Sequence, residues 1–244
     1  MITKILKIPF LKRLVPSLSI RFLKLLKKNR GYFNVNGLMM YLDFLDPIDI
    51  SIILNQSYDS EEINILEKLI KDNFVGIFID IGSNCGFYSF HFARKNLKVF
   101  AFEPNSEAVL KMNNTIQKNK NLDEKISIFP YGISNQNSEM KMETIIKHGY
   151  IQTGGSGITE NKEERKNFKI FKAKFRNGDE VLKFKKENLA IKIDVERHEL
   201  FVLKGIKNLL KFNNCILQIE IFDKNFNAID SFLKECGYFN INDV

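Results

Sequence analysis

From residue 76 onward the chain alternates short, β-branched apolar runs with amphipathic ones, and this alternation restricts the fold more than any other feature. "GIFIDI" reads as a strand and "FYSFHFARKN" as a helix. "KVFAFEPN" is a second strand, and "SEAVLKMNNTIQKN" a helix with Asn105 or Ser106 as its cap. "KISIFPYGIS" is a third strand and "LAIKIDVE" a fourth, followed by the helix "ELFVLKGIKNLLKF". "CILQIEIF" is a fifth, followed by "NAIDSFLKECGY" as a helix that ends at Gly237. Strands separated by helices pair through crossovers, which gives a Rossmann-like α/β fold: a mostly parallel twisted sheet with helices on both faces. After the fifth strand the sequence runs out in "YFNINDV", which predicts a sheet shortened at its C-terminal edge. That edge is then open, or covered by the N-terminal arm or a second subunit in a homo-oligomer.

The segment 137–178 interrupts the alternation. "EMKMETI" and "NFKIFKAKF" read as an added hairpin around the polar, Gly-rich loop "HGYIQTGGSGITENKEER". That loop, with His148, Tyr150 and residues 153–158, is a candidate lid, and plain disorder is the other reading. Before residue 76, "GYFNVNGLMMYLD" reads as a hairpin turning at Asn36-Gly37. Asp59 and Ser60 then cap a helix whose buried stripe is Ile63, Leu66, Leu69 and Ile70. The organisation expected is an arm and hairpin over 1–57 and an α/β domain over 58–244.

Charge divides the chain the same way. It has 37 basic and 29 acidic residues in 244, but nine of the bases and none of the acids fall in residues 1–42. The remainder is nearly balanced, which argues against a domain-wide nucleic-acid surface. "LSIRFLKLLKK" (18–28) is a basic amphipathic helix, suited to an anionic membrane through residues 1–30 or to packing its apolar face on the domain. Cys85, Cys215 and Cys236 form no CxxC pair, so a thiolate zinc site is excluded and a reducing, cytoplasmic setting is expected. No apolar run is long enough to span a bilayer.

The chemistry concentrates in two stretches. In "FIDIGSNCGFYS" an apolar strand ends in Asp80, and Gly82 and Gly86 open the next helix. Ligands of open α/β sheets bind at such a first strand-to-helix turn. The spacing is Gly-x-x-x-Gly rather than G-x-G-x-x-G, and an acid there repels a pyrophosphate but attracts a sulfonium and an ammonium, as in S-adenosylmethionine (SAM). Glu103 closes the second strand, where an acid accepts both ribose hydroxyls.

These two motifs, with "VFAFEPN", "IKIDVERHELFVLKG" and "LQIEI", resemble the FkbM family of SAM-dependent methyltransferases over about residues 58–240. The resemblance implies the class I methyltransferase fold, SAM as cofactor, and a carbohydrate or glycoconjugate acceptor methylated on oxygen in surface-glycan or natural-product pathways. It implies that Asp80, Gly82, Ser83, Asn84 and Gly86 cradle the methionine side. Phe87, Tyr88 and Ser89 then open the helix, Glu103 holds the ribose, Pro104 and Asn105 flank the adenine, and Gly132 and Ile133 lie at its edge. The family usually has alanine in place of Gly132, an exchange expected to be compatible, and glycine in place of Arg197. The latter puts the geometry of the turn in doubt, or adds a cation suited to an acidic acceptor.

Asp194, Glu196, His198, Glu199 and Glu220 come from strand ends or the turns after them, and converge on the acceptor side. An acceptor hydroxyl must lose a proton, and a placed base speeds such a step. His198, oriented by a neighbouring carboxylate, is the first candidate and Asp194 the second. Glu199 also reads as a helix-dipole partner and His198 as a turn residue. No ligand spacing points to a metal. An RNA or protein acceptor, or a SAM-binding or membrane-docking protein without turnover, remain as alternatives.

Overall fold

The computed structural model describes residues 30–147, 150–161, 165–221 and 225–239. The basic helix expected at 18–28 and His148 lie outside them. The hairpin forms as expected: β1 (Arg30–Val35) pairs antiparallel with β2 (Leu38–Asp43) around Asn36 and Gly37, both at positive φ. Two helices follow, α1 (Pro47–Asn55) and α2 (Ser60–Asp72). Asp46 caps α1 by accepting from the Ile48 N–H. Asp59 stands at the N-cap of α2 but makes no side-chain cap bond, because its backbone is left-handed (φ 46°) and its carboxylate faces the Tyr88 hydroxyl.

Five parallel strands build the main sheet in the order β11 (Asn214–Ile219), β10 (Asn188–Ile193), β3 (Ile77–Ile81), β4 (Lys98–Phe102), β5 (Ile126–Phe129). The order reverses between β3 and β10, so the switch point is where the first and fourth strands meet. Among the described residues β11 and β5 are the edge strands. Helices α3 (Phe87–Arg94) and α4 (Ser106–Lys118) follow β3 and β4. The helix expected after the fourth strand is broken into α6 (Glu199–Gly205) and α7 (Lys207–Phe212). The break comes where a Cβ on Gly205 would collide with the Ser134 carbonyl. The last helix, α8 (Phe226–Glu235), ends just before Gly237 at φ 93°.

Period-two alternation divides the core. Ile77, Ile79, Ile81, Leu189, Ile191 and Ile193 pack beneath α6, α7 and α8. Phe78, Val99, Ala101 and Ala190 face α3 and the hairpin, and Val35, Leu38, Met40 and Leu42 belong to the same cluster. The hairpin is also tied to α4: Thr115 Oγ1 accepts from the Tyr41 N–H (2.9 Å), and Asn119 brackets Met39.

The expected third strand splits. β5 ends at Phe129, and after Pro130, β6 (Gly132–Ser134) joins a second sheet of order β6, β9 (Phe168–Asn177), β7 (Ser138–Lys147), β8 (Tyr150–Ile158). The added hairpin is thus a three-stranded insert, because the Gly-rich segment expected as a loop pairs with β7. The insert narrows to a neck. Ser134 pairs with Asn177, whose N–H donates to Asn137 Oδ1 (2.9 Å) and whose side chain donates to the Asn135 carbonyl (2.8 Å). A short helical turn, α5 (Gly178–Val181), leads back to β10.

Candidate active site

A cleft opens at the carboxyl ends of β3, β4, β10 and β11, over the switch point. Its floor is the first strand-to-helix turn. Gly82 has φ 85°, and a Cβ there would collide with the Asp194 carbonyl, so only glycine lets the ends of β3 and β10 close up. The Gly82 and Ser83 N–H groups both donate to the Phe102 carbonyl (2.9 and 3.1 Å). Asn84, also left-handed, donates its N–H to Glu103 Oε2 (2.8 Å), and its Oδ1 is buried without a partner.

Glu103 is 7% exposed and stands at the middle of the cleft. Its second oxygen accepts from the Asn105 N–H (2.8 Å). Burial pushes its carboxyl up to about 7, against the pull of those two N–H donors. Asn105 caps α4 through the Glu107 N–H and donates its amide to Ser156 Oγ (3.1 Å), so it positions the wall rather than lining it.

One end of the cleft is acidic. Asp194, Glu196 and Glu220 meet there with Tyr58. Buried Lys192 lies behind Asp194 (2.7 Å), under the Tyr88 ring. Partial burial, the Asp194 charge and a hydrogen bond to Asp194 push Glu220 up to about 7. Glu196 is raised by burial and the charges of Asp194 and Glu199. Burial and the surrounding carboxylates hold the Tyr58 hydroxyl protonated. The other end is apolar, with Ile133, Met142, Ile158 and Phe175 beside Pro104.

Of the residues singled out from sequence, Gly82, Asn84, Glu103, Pro104, Gly132, Ile133, Asp194, Glu196, His198 and Glu220 are brought together around this cleft. The others support it from behind. Asp80 comes one residue before the end of β3. Alternation therefore puts it on the face under α3, with Lys192 as its register partner and the Ser89 hydroxyl donating to it (2.6 Å). Ser83 is buried against Met112, and Gly86 begins α3 where a Cβ would meet Phe90 and Met112. Phe87 packs edge-on to Tyr58, and the Tyr88 hydroxyl bridges Asp59 and Gln218. Glu199 is fully buried, and its Oε1 accepts from the Arg197 N–H (2.7 Å) to fix the turn.

One expectation is corrected. His198 is oriented by a hydroxyl, not a carboxylate: its Nε2 lies 2.9 Å from Ser134 Oγ, and its ring stacks on Phe201 and meets Phe175 edge-on. Burial there pushes it down to about 4, so it is neutral near pH 7. Gly132 and Phe175 are fitted to each other, since a Cβ on Gly132 would run into the Phe175 ring. Sequence reasoning missed Ile48, Tyr58, Met142 and Phe175 in the walls. The Gly-rich segment 153–158, suspected as a lid, does line the cleft, but as part of β8.

The arrangement fits SAM on two observations. Carboxylates line the cleft while its nearest buried lysine is already paired, and the Asn84 acceptor lacks a donor. Among the described residues no group of three or more His, Cys, Asp or Glu is placed to hold a metal ion, and no helix is long and apolar enough to cross a membrane.

A family model described as the methyltransferase FkbM domain matches residues 80–239. Among solved structures, a methyltransferase FkbM from Methylobacillus flagellatus KT is similar at 14% identity and a TM-score of 0.46, over 66% of this chain. This chain spans only 37% of that one. A precorrin-6y C5,15-methyltransferase from Geobacter metallireducens GS-15 is similar at 10% identity and a TM-score of 0.44, over 75% of this chain and 74% of that one. A putative caffeoyl-CoA O-methyltransferase from Staphylococcus aureus is similar at 10% identity and a TM-score of 0.41, over 79% and 80%. A search of curated proteins found no match.

Proposed function

The chain belongs to the FkbM methyltransferase family, and from that premise we propose that it transfers a methyl group from SAM to a hydroxyl of a carbohydrate or glycoconjugate acceptor. The observation that carries the reading is Glu103, pinned by two backbone N–H groups between an acidic and an apolar end of one cleft. When bound, SAM supplies a methyl group made electrophilic by the adjoining sulfonium.

Glu103 keeps lone pairs free for two ribose hydroxyls. Ile133 and Pro104 bound the apolar end that takes the adenine, and Gly82 and Asn84 border the methionine side. The acceptor hydroxyl comes to the acidic end. Tyr58, held protonated, donates a hydrogen bond to it. Holding the hydroxyl in line with the transferred carbon supplies much of the rate.

Glu220 takes the hydroxyl proton. A base whose pKa is near the working pH transfers protons best, and Glu220 at about 7 meets that condition better than His198 at about 4. His198 then orders the turn through Ser134. Carboxylates around a neutral polyol accept its hydroxyl protons, which supports a carbohydrate over an anionic acceptor.

Calorimetric titration tests the cofactor. The wild-type protein is expected to bind SAM and not NAD, and Glu103→Gln to weaken SAM about tenfold or more, as for loss of hydrogen bonds to a charged acceptor. A wild-type protein that fails to bind SAM would overturn the reading. Methyl transfer from labelled SAM to glycan fractions, lost in Glu220→Gln with SAM binding kept, tests the base.

A further inference from the structure

The wall over the cleft is fastened by a charged cluster that sits wholly inside the protein. Lys111, on α4, is 1% exposed. Its Nζ lies 3.0 Å from Asp46 Oδ2 and 2.7 Å from Asp49 Oδ2, and both aspartates are fully buried. The same Nζ donates to Thr153 Oγ1 (3.0 Å). Thr153 returns two bonds to Asp46 Oδ2, from its N–H (2.8 Å) and its hydroxyl (2.6 Å). Asp46 Oδ1 accepts from the Ile48 N–H, and Asp49 Oδ2 from the Asp43 N–H. The cluster thus joins the turn after the hairpin, α4, and β8 of the insert.

Three residues further along β8, Ser156 is tied to Asn105, the residue that caps α4 and donates its N–H to Glu103. Gly154 and Gly155 lie between these two fastenings and line the cleft. A Cβ on Gly154 would run into Ile48, itself a wall residue and held by Asp46. Two glycines have little intrinsic preference for one backbone path. Their path over the cleft is set from outside, by Thr153 at one end and Ser156 at the other.

We propose that Asp46, Lys111 and Thr153 are positioning residues for cofactor binding: they fasten the Gly154–Gly155 wall over the cleft, and Thr153 transmits the constraint through its hydroxyl. The proposal rests on the reading that SAM occupies the cleft. A buried ion cluster is a poor source of net stability compared with apolar packing, but it fixes one arrangement among several. Here the arrangement fixed is the distance between the Gly154–Gly155 backbone and the Glu103 side of the site.

Lys111→Met would leave two buried carboxylates without their cation and is expected not to fold, so Thr153 carries the test. Thr153→Val keeps the shape and removes the hydroxyl. It is expected to speed amide exchange over residues 153–157 relative to Phe168–Asn177, and to weaken SAM binding about tenfold, the range for a hydrogen bond to a charged group. Thr153→Ser keeps the hydroxyl and is expected to behave as wild type in both. Unchanged exchange and unchanged SAM affinity in Thr153→Val would overturn the proposal, and so would a Thr153→Ser variant as altered as Thr153→Val. If the wild-type protein binds no SAM, the cofactor reading fails by itself, and the exchange measurement still decides whether the wall is fastened in this way.

Discussion

At the scale of single residues, the turn after β10 holds the clearest local conflict. Glu196 and Arg197 are consecutive and both left-handed, at φ 50° and 75°. A Cβ in that region costs about 1–2 kcal/mol, and glycine escapes the cost. The family's glycine in place of Arg197 is therefore a backbone requirement that this chain meets with strain, offset in part by the Glu199 carboxylate that accepts the Arg197 N–H. Arg197→Gly is expected to raise stability by about 0.5–1 kcal/mol in chemical denaturation; a loss of stability would mean that the arginine side chain outweighs its backbone. The exchange was visible in the sequence. Its sign was not, because φ depends on how β10 and α6 are held apart.

Titration belongs to the same scale. Burial pushes Glu103 up to about 7, and burial with the charge of Asp46 pushes Asp49 up to about 6. Both carboxyls bind protons more tightly folded than unfolded. Between the ordinary carboxylate range and these values the folded state holds more protons, so stability falls as pH rises through that window. Asp46, held low by Lys111 against its burial, acts oppositely below the ordinary range, and His198, pushed down to about 4, opposes within the window, where Glu220 at about 7 adds to Glu103 and Asp49 and outweighs it. The ligand-free protein is expected to melt higher at about pH 5.5 than at about pH 8. SAM affinity is expected to drift the other way, since Glu103 accepts best as a carboxylate. A higher melting point at the alkaline end would contradict the placement of these groups.

At the scale of elements, the five strands and their helices were legible because each has its own period, and Asn105 caps α4 as read. The insert was only half legible. β7 and β9 alternate, but nothing local marks Tyr150–Ile158 as a strand: it pairs with β7 only at residues 150–152 and 157–158, with an irregularity between, and that pairing rather than propensity makes it a strand. The break between β5 and β6 was hidden for a similar reason: Pro130 permits it, but the partner that draws Gly132–Ser134 away is more than forty residues downstream. There Gly132 and Phe175 form a complementary pair across two strands. Gly132→Ala is expected to displace the ring and weaken SAM binding, and Gly132→Ala with Phe175→Leu to recover part of the loss, as measured by calorimetry. Equal losses in the single and double variants would show that the two positions are not coupled.

At the scale of the whole molecule, the hairpin is part of the main core. Met40 and Leu42 are fully buried in the cluster that contains Phe78 and Phe90, and Arg30 joins Asp43 to Glu107. Amides of β1 and β2 are accordingly expected to exchange only with global unfolding, at the rate of those in β3; faster exchange would mark a separately opening unit. Sequence placed this hairpin ahead of the α/β domain, and only the packing shows that Asp46 and Ile48 just after it help wall the cleft.

The neck at Ser134 and Asn177 has a consequence for how such a chain can diversify. Because the insert leaves and returns through paired neighbours, closing that excursion is a local matter, and its length has little effect on the five-stranded sheet. Away from Thr153, Ser156 and Phe175, which hold or line the cleft, the insert can be longer, shorter or redecorated while the switch point stays as it is. The excursion thus has a fixed part, tied to the floor of the cleft, and a free part, where changes in length or charge can accumulate without being felt at the switch point.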